Sequence, residues 1–500
     1  MGLAGGTNMS SRETTNRSIA VRAYAVLVRG GTQRPPQADG RADIGPSAYT
    51  LVFDVETMTD AAQQARILPY QLREDGVLRE EGIAYDPLTL GDAERSTLYA
   101  YATKRRLMVR TVAEFVDAVF YPYVYDRNAR CIGFNLPFDL SRLAIYHNTS
   151  KGKRMRGGFS FQLGDDPDRP RVQVKHLNNR TAFISFAAPP KQRTPRGMRK
   201  RALKVPVQRG HFIDVKTIGA ALTGRGHSLA SLAKALRTEH RKAETDEHGG
   251  PLTPEYLDYA LNDVQVTWEC FAVLRDRYTQ YGLDTQLERI YSEASIGKAS
   301  LDRMGIRPLK EVQHLPPALL GVIMSTYYGG RAEVNWRREI ARVLYCDFKS
   351  MYPTVCILMG LWRFAIAKEM TWDEGEQIAE EAQRFVDGIT RDDFQHRATW
   401  EHLTTLVRMR PDELRVPVRA KYDGQQYSIG VNDLTHDTPM WFTLADVVAA
   451  KVKTGRTPRV LDAVRFKPGA VQEGLRPLDI AGNAAYHVNP ATDNYLPAAD

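Results

Sequence analysis

The sequence has no Cys-x-x-Cys pair, and its four cysteines, Cys131, Cys270, Cys346 and Cys356, are scattered. That argues against both a disulfide framework and a zinc knuckle, and leaves them as expected buried thiols. No apolar run approaches the ~20 residues that a membrane-spanning helix needs; the stretch from Ala318 to Met324 is typical of the longest. The first 18 residues are dominated by Gly, Ser, Thr and Arg, without the basic segment and apolar core of a secretion signal. A soluble, unexported protein is the expectation, cytoplasmic or nucleoid-associated. Internal repeats and low-complexity tracts are also absent.

What is present is an ordinary globular composition, 43% hydrophobic and 25% charged, over 500 residues. That length suits about three domains at roughly 150 residues each. The net charge of +9 is unevenly placed. Residues 151–210 hold 16 Lys and Arg against three acids, and the remaining chain is net acidic. Phe159, Phe161, Phe183 and Phe186 interleave with these cations, a pattern suited to phosphate contacts and base stacking, although a solvated charged face gives the same pattern. Arg199, Lys200 and Arg201 form its densest run.

Residues 1–48 have weak periodicity and read as a loose segment with one short candidate edge strand at Ala20 to Val28. An alternating β/α pattern follows. Tyr49 to Val55 reads as a buried strand, then a polar helix or loop and an apolar patch, then a helix over 111–125 with Val112, Phe115, Val116 and Val119 on one stripe. Cys131 to Phe134 is a strand leading into a helix. Arg171 to Lys175 and Thr181 to Phe186 suit a hairpin around Asn178-Asn179. His211 to Val215 returns as a strand, and the helices that follow include one from Tyr256 to Arg277. Leu344 to Phe348 opens a further strand.

Asp54 and Glu56 lie two apart at the end of the first strand, so both side chains point to one face. Asp139 follows the strand at 131–135, where a helix N-cap is the plainer role. Tyr259 and Asp263 lie four apart on one helix face. Each pair alone is unremarkable in function. Together they supply four carboxylates for two divalent cations and a tyrosine hydroxyl to orient a water. Asp214 is a fifth strand-end acid, read as structural.

The three motifs Asp54-Val55-Glu56, Asn135 to Asp139 and Tyr259 to Asp263 resemble, in order and composition, the 3′-to-5′ proofreading exonucleases attached to family-B DNA polymerases. The resemblance implies an α/β, RNase H-like exonuclease domain over 49–285, a mixed sheet with flanking helices, carrying 151–210 as a basic insertion. Asp54, Glu56, Asp139 and Asp263 would be ligands for two Mg²⁺ or Mn²⁺ ions, Tyr259 the water-positioning residue, and Asn135 and Phe138 contacts for a single-stranded 3′ end. Tyr327 to Arg331 resembles the linker motif of the same family over 286–340, with Tyr328, Gly329 and Gly330 on DNA.

Asp347 to Thr354 is similar to the first catalytic motif of the family's α+β palm. That likeness implies Asp347 as a metal ligand and Phe348, Ser350, Met351 and Tyr352 around a deoxynucleoside triphosphate. A finger helix and an Asp-Thr-Asp hairpin do not follow: Asp437-Thr438-Pro439 has proline where the second carboxylate belongs. The palm over 341–500, with an insertion over 367–439, is therefore expected to be incomplete. DNA, as 3′ end and primer-template, is the implied partner, with no membrane involvement. Two other readings stay open: a free-standing exonuclease that keeps a palm remnant, and a non-catalytic DNA-binding protein acting through the basic segment.

Overall fold

The structure is a computed structural model that describes residues 19–25, 45–187, 208–243, 249–329, 336, 339–348, 351–421, 427–479 and 487–492. The chain divides into two compact units. One comprises Arg34–Arg303 with Leu478–His487, and the other Met304–Pro477 with the two chain ends.

The first unit is built on a mixed sheet of seven strands. β1 (Tyr49–Phe53), β2 (Glu56–Thr57), β3 (Ala65–Glu74), β4 (Val77–Tyr85), β5 (Met108–Thr111) and β6 (Arg130–Gly133) come in chain order, and one later strand, His211–Asp214, joins them. Strand 211–214 lies parallel to β6, β6 parallel to β1, and β1 antiparallel to β3. After Val55 and the short β2, residues 58–64 form the expected polar loop, and the apolar patch that follows is β3, paired with β4 in a long hairpin. Its turn is Asp75-Gly76, both residues at positive φ (49° and 85°), the pairing that a two-residue hairpin turn favours. The polar residues Arg66, Gln71 and Arg73 of β3 are buried and paired. Gln71 bonds Glu81 and Gln265, while Arg73 bonds Gln71 and the Gly76 carbonyl and lies over the Trp268 ring.

The pleat of β1 separates two cores. Leu51 and Phe53 pack with Phe115, Val119, Phe120 and Leu140 on one face; Val52 packs with Ile132, Ile213, Val264 and Phe271 on the other. The second face is covered by the helices α1 (Asp92–Arg105), α2 (Val112–Phe115), α3 (Leu136–Arg142), α4 (Val215–Thr223), α5 (Leu229–Leu236) and α6 (Pro254–Thr279) only in part: α4, α5 and α6 supply it. The helix expected over 111–125 is α2 continued by a π-helical run, Val116–Asp126, with Pro122 inside it. A separate four-stranded antiparallel sheet holds β7 (Tyr146–Thr149), β8 (Phe159–Gln162), β9 (Val172–His176) and β10 (Ala182–Phe186), in the order β10-β9-β8-β7. The hairpin expected around Asn178-Asn179 is β9–β10.

In the second unit an antiparallel sheet places Val460–Pro468 between Met370–Glu374 and Thr405–Met409, with Met440–Thr443 beyond. Helices Glu376–Gly388 and Leu444–Thr454 cover it through Ile378, Ala382, Val386, Val447 and Val448. The strand expected at Leu344 to Phe348 does not form. Residues 341–348 pair with no strand among the described residues and are exposed, Val343, Leu344, Tyr345 and Phe348 each by 79% or more. β-branched and aromatic residues favour a strand only where a neighbouring strand and a packed face receive them. The candidate edge strand at Ala20 to Val28 does not form in its described part, 20–25; the preceding Ile19 makes a single bridge to Ala420. Of the cysteines, Cys131 and Cys270 are buried as expected; Cys346 and Cys356 are exposed. No helix among the described residues is long and apolar enough to cross a membrane.

Candidate active site

Asp54 follows β1, and strand parity puts it on the Val52 side, facing α6. From α6, Asp263 precedes Val264 of that same core and is 2% exposed. Carboxylate oxygens of Asp54, Glu56 and Asp263 all lie within 4.8 Å of one another. Asp139 is the fourth. The expected N-cap role belongs instead to Asn135, which enters α3 at φ 70°, so that Asp139 falls inside the helix and turns inward. It lies close enough to Asp54 to sense that residue's charge. One oxygen, Oδ2, is buried with no hydrogen-bond partner.

A buried carboxylate oxygen left without a donor costs on the order of 1–3 kcal/mol or more, and crowding four such groups adds repulsion. Both effects appear in the acidities. Burial, then the charges of Glu56 and Asp263, push Asp54 from the ordinary carboxyl value of 3.8 to about 7. Burial, then Asp54 and Asp214, push Asp139 well up. Hard oxygen donors held close together, one of them orphaned, suit a divalent cation such as Mg²⁺ or Mn²⁺. The residues therefore fit the metal that the motifs imply.

Asp214 has a different fate. Its Oδ1 accepts from the N–H groups of Asn135, at 2.8 Å, Leu136 and Lys216, and its Oδ2 from the Thr217 hydroxyl at 2.7 Å. It caps α4 and pins the turn that positions α3. A saturated carboxylate is a poor ligand, in agreement with its structural reading.

Two residues at the site were not singled out from the sequence. The Tyr256 hydroxyl donates to Glu56 Oε2 at 2.8 Å, and its ring stacks on Tyr259, centroids 5.9 Å apart. Its place three residues before Tyr259, on the same helix face, was a readable signal. Lys242 was not readable, since it lies in a polar loop ahead of α6. Its ammonium donates to Tyr259 Oη at 2.8 Å and to Asp263 Oδ2. Burial and the charges of Asp263 and Glu56 push the Tyr259 phenol far up, so it remains a neutral hydrogen-bond donor at neutral pH.

The other expected contacts divide. Asn135 and Phe138 are partly exposed near the site, with the Arg142 guanidinium over the Phe138 ring. Tyr328 is buried, its ring under Arg419, and Gly329 is exposed at φ 85°. Asp347 and Phe348 lie in the exposed 341–348 segment, while Met351 and Tyr352 open the helix Met351–Leu358 with exposed side chains. Asp347 belongs to neither of the metal-capable clusters among the described residues; the second of these is the exposed group Glu239, His240 and Glu269. Gly330, Ser350, Arg199, Lys200 and Arg201 lie outside the described residues.

Proton and metal compete for Asp54, which gives a linkage prediction. Its folded carboxyl titrates near 7, above its ordinary 3.8, so the metal-free folded state holds a proton that the unfolded chain releases. As pH rises from about 4 to 7, this group therefore lowers the stability of the metal-free fold. The cation binds the ionised form and opposes that loss. The thermal upshift produced by saturating Mn²⁺ should be larger at pH 8 than at pH 5.5, as differential scanning fluorimetry can show; an equal or larger shift at pH 5.5 would contradict the assignment.

No family model matches the chain, and no curated protein matches it. Among solved structures, "Phi29 DNA polymerase complexed with single-stranded DNA" is similar with a TM-score of 0.31 and 11% identity. That similarity covers 84% of this chain and 61% of the polymerase chain, so this chain spans less than two thirds of that protein's length. A likeness of that size leaves function to the chemistry of the site.

Proposed function

We propose that the first unit is a metal-dependent 3′-to-5′ exonuclease acting on single-stranded DNA ends, and that the chain is the exonuclease-bearing part of a family-B DNA polymerase. The observation that carries this reading is the cluster of Asp54, Glu56 and Asp263 carboxylates, with buried Asp139 near enough to interact electrostatically with Asp54 and with Tyr259 beside them. The 3′ polarity and the polymerase family come from the resemblance of the motifs.

Two divalent cations held by these carboxylates would stabilise charge on both the attacking and the departing oxygen of the phosphodiester. The chain's own residues prepare that site. Tyr256 donates to Glu56 and orients its carboxylate. Lys242 donates to the Tyr259 oxygen, which takes up one acceptor position and leaves the phenol's own proton to act as a donor. Asn135 and Phe138, at the open side of α3, are placed to meet sugar and base.

Digestion of a 5′-labelled oligodeoxynucleotide tests the reading. Shortening from the 3′ end that requires Mg²⁺ or Mn²⁺ is expected. Tyr259→Phe should slow it by about 10-fold to 10²-fold, since one orienting hydrogen bond is removed without a change in charge. An intact oligonucleotide with either metal would sink the proposal.

A narrower reading, an exonuclease without polymerisation by these 500 residues, is favoured by the surroundings of Asp347. Nucleotidyl transfer requires a cation clamp at both reacting oxygens, and Asp347 stands exposed and outside any carboxylate cluster among the described residues.

A further inference from the structure

The sheet β7–β10 has two ends of opposite character. At one, the β8–β9 loop carries Asp165, Asp166 and Asp168, and Arg169 pairs with Asp126 and Asp166. At the other lie the β7–β8 loop, Ser150 to Gly158, and the β9–β10 turn. From Tyr146 to Leu163 and from Val172 to Ala187 the sequence has no Asp or Glu at all. Lys151, Lys153 and Arg156 are exposed there and have no carboxylate partner among the described residues. With Ser150 and Gly152 they line an open concavity of about 630 Å³.

This loop is held in place rather than left as a loose charge run. Met155 is buried, the Gly158 N–H donates to the Met155 carbonyl at 3.0 Å, and the Ser150 N–H donates to the Gly158 carbonyl at 2.9 Å. A Cβ at Gly158 would lie 2.4 Å from the Val174 carbonyl oxygen, so the loop is drawn tight against β9. Arg154 is engaged elsewhere, over Phe183 and bonded to the Tyr291 hydroxyl. Three like charges fixed around one hollow repel one another, and an anion seated among them removes that cost.

Next to the cations, Phe159 opens β8 with 51% exposure, its ring stacked on the buried Phe161 at 6.0 Å and 5°. A supported, outward aromatic beside a row of cations can take an unpaired base, which a duplex does not offer. β7 begins four residues after α3 ends, so at most about 35 Å of chain separates Lys151 from Asp139.

We infer that the Ser150–Phe159 loop is a second nucleic-acid site, in which Lys151, Lys153 and Arg156 hold backbone phosphates of single-stranded DNA and Phe159 stacks on a base. It rests on the proposed reading in taking that strand to be the one whose end enters the carboxylate site.

The test is binding of a fluorescent 20-nucleotide oligothymidylate by the full chain in EDTA, followed by anisotropy across a salt series. The triple variant Lys151→Ala, Lys153→Ala, Arg156→Ala should bind about tenfold or more weakly, and its log–log salt slope should fall by about 2, at ~0.7 per single-strand phosphate contact. Phe159→Ala should weaken binding at least about fivefold with the slope kept. Lys151→Arg, Lys153→Arg, Arg156→Lys should bind like the parent, which controls for folding. Unchanged affinity and slope in the alanine triple, or an equal loss in the charge-preserving triple, would overturn the inference, as would tighter binding of a duplex of the same length. Hydrolysis of the p-nitrophenyl ester of thymidine 5′-monophosphate, too short to reach the loop, should be unchanged in the alanine triple. Binding that behaves as described by a chain that cleaves nothing supports this site and fails the exonuclease reading; cleavage with unaltered binding does the reverse.

Discussion

Asp54→Ala should reduce metal-dependent release of nucleotides from a DNA 3′ end by about 10²-fold to 10⁴-fold. Asp54 is central to the site because it touches every other part of it electrostatically. Beyond the effect of burial, its charge raises the pKa of Asp139, and the charges of Glu56 and Asp263 raise its own. Removing a group that positions a cation forfeits several kcal/mol of transition-state stabilisation, and each ~1.4 kcal/mol is tenfold in rate. The variant should nevertheless fold, since deleting one of several mutually repelling carboxylates relieves repulsion in the metal-free chain. Its thermal midpoint without metal should equal or exceed that of the parent. Single-turnover digestion of a labelled oligonucleotide measures the loss, and a rate within threefold of the parent would remove Asp54 from the mechanism.

Lys242→Ala should produce an effect as large as that of Tyr259→Phe, and one of an unusual shape. The ammonium donates to both Asp263 and Tyr259, so it sets the orientation of the phenol while laying claim to an oxygen that a cation also needs. Losing a charge-assisted hydrogen bond worth ~1.5–3 kcal/mol should slow cleavage by about 10-fold to 10²-fold. The same loss removes a positive charge from the site, so the Mn²⁺ concentration giving half-maximal activity should fall. A slower enzyme with tighter metal dependence separates this role from mere support of the fold, which would weaken both. Metal titrations of cleavage rate in parent and variant check it; a raised metal requirement would contradict the account.

The carboxylates were legible because each motif has a local periodicity. Asp54 and Glu56 obey the two-residue repeat of a strand, and Tyr259 and Asp263 the four-residue spacing of a helix. Their convergence was not legible from spacing, since it depends on β1, β6 and strand 211–214 lying parallel and side by side. Lys242 was hidden for the same reason: a loop residue declares its partners only in three dimensions. The pairing of β3 with β4 was not legible either, because the partners of Arg66, Gln71 and Arg73 appear only in the fold: Arg66 bonds Gly250 and Glu94, and the other two bond each other. The Leu344–Phe348 strand failed differently. Local propensity was right for a strand, but pairing is a property of a second segment, and none of the described residues supplies it.

The convergence itself is tested most directly by an anomalous difference map from crystals of the full chain grown with Mn²⁺. Density within about 2.1 Å of carboxylate oxygens from Asp54, Glu56, Asp139 and Asp263, with Lys242 withdrawn from Asp263, is the predicted result. Manganese confined to Glu239, His240 and Glu269, with none at Asp54, would contradict the account.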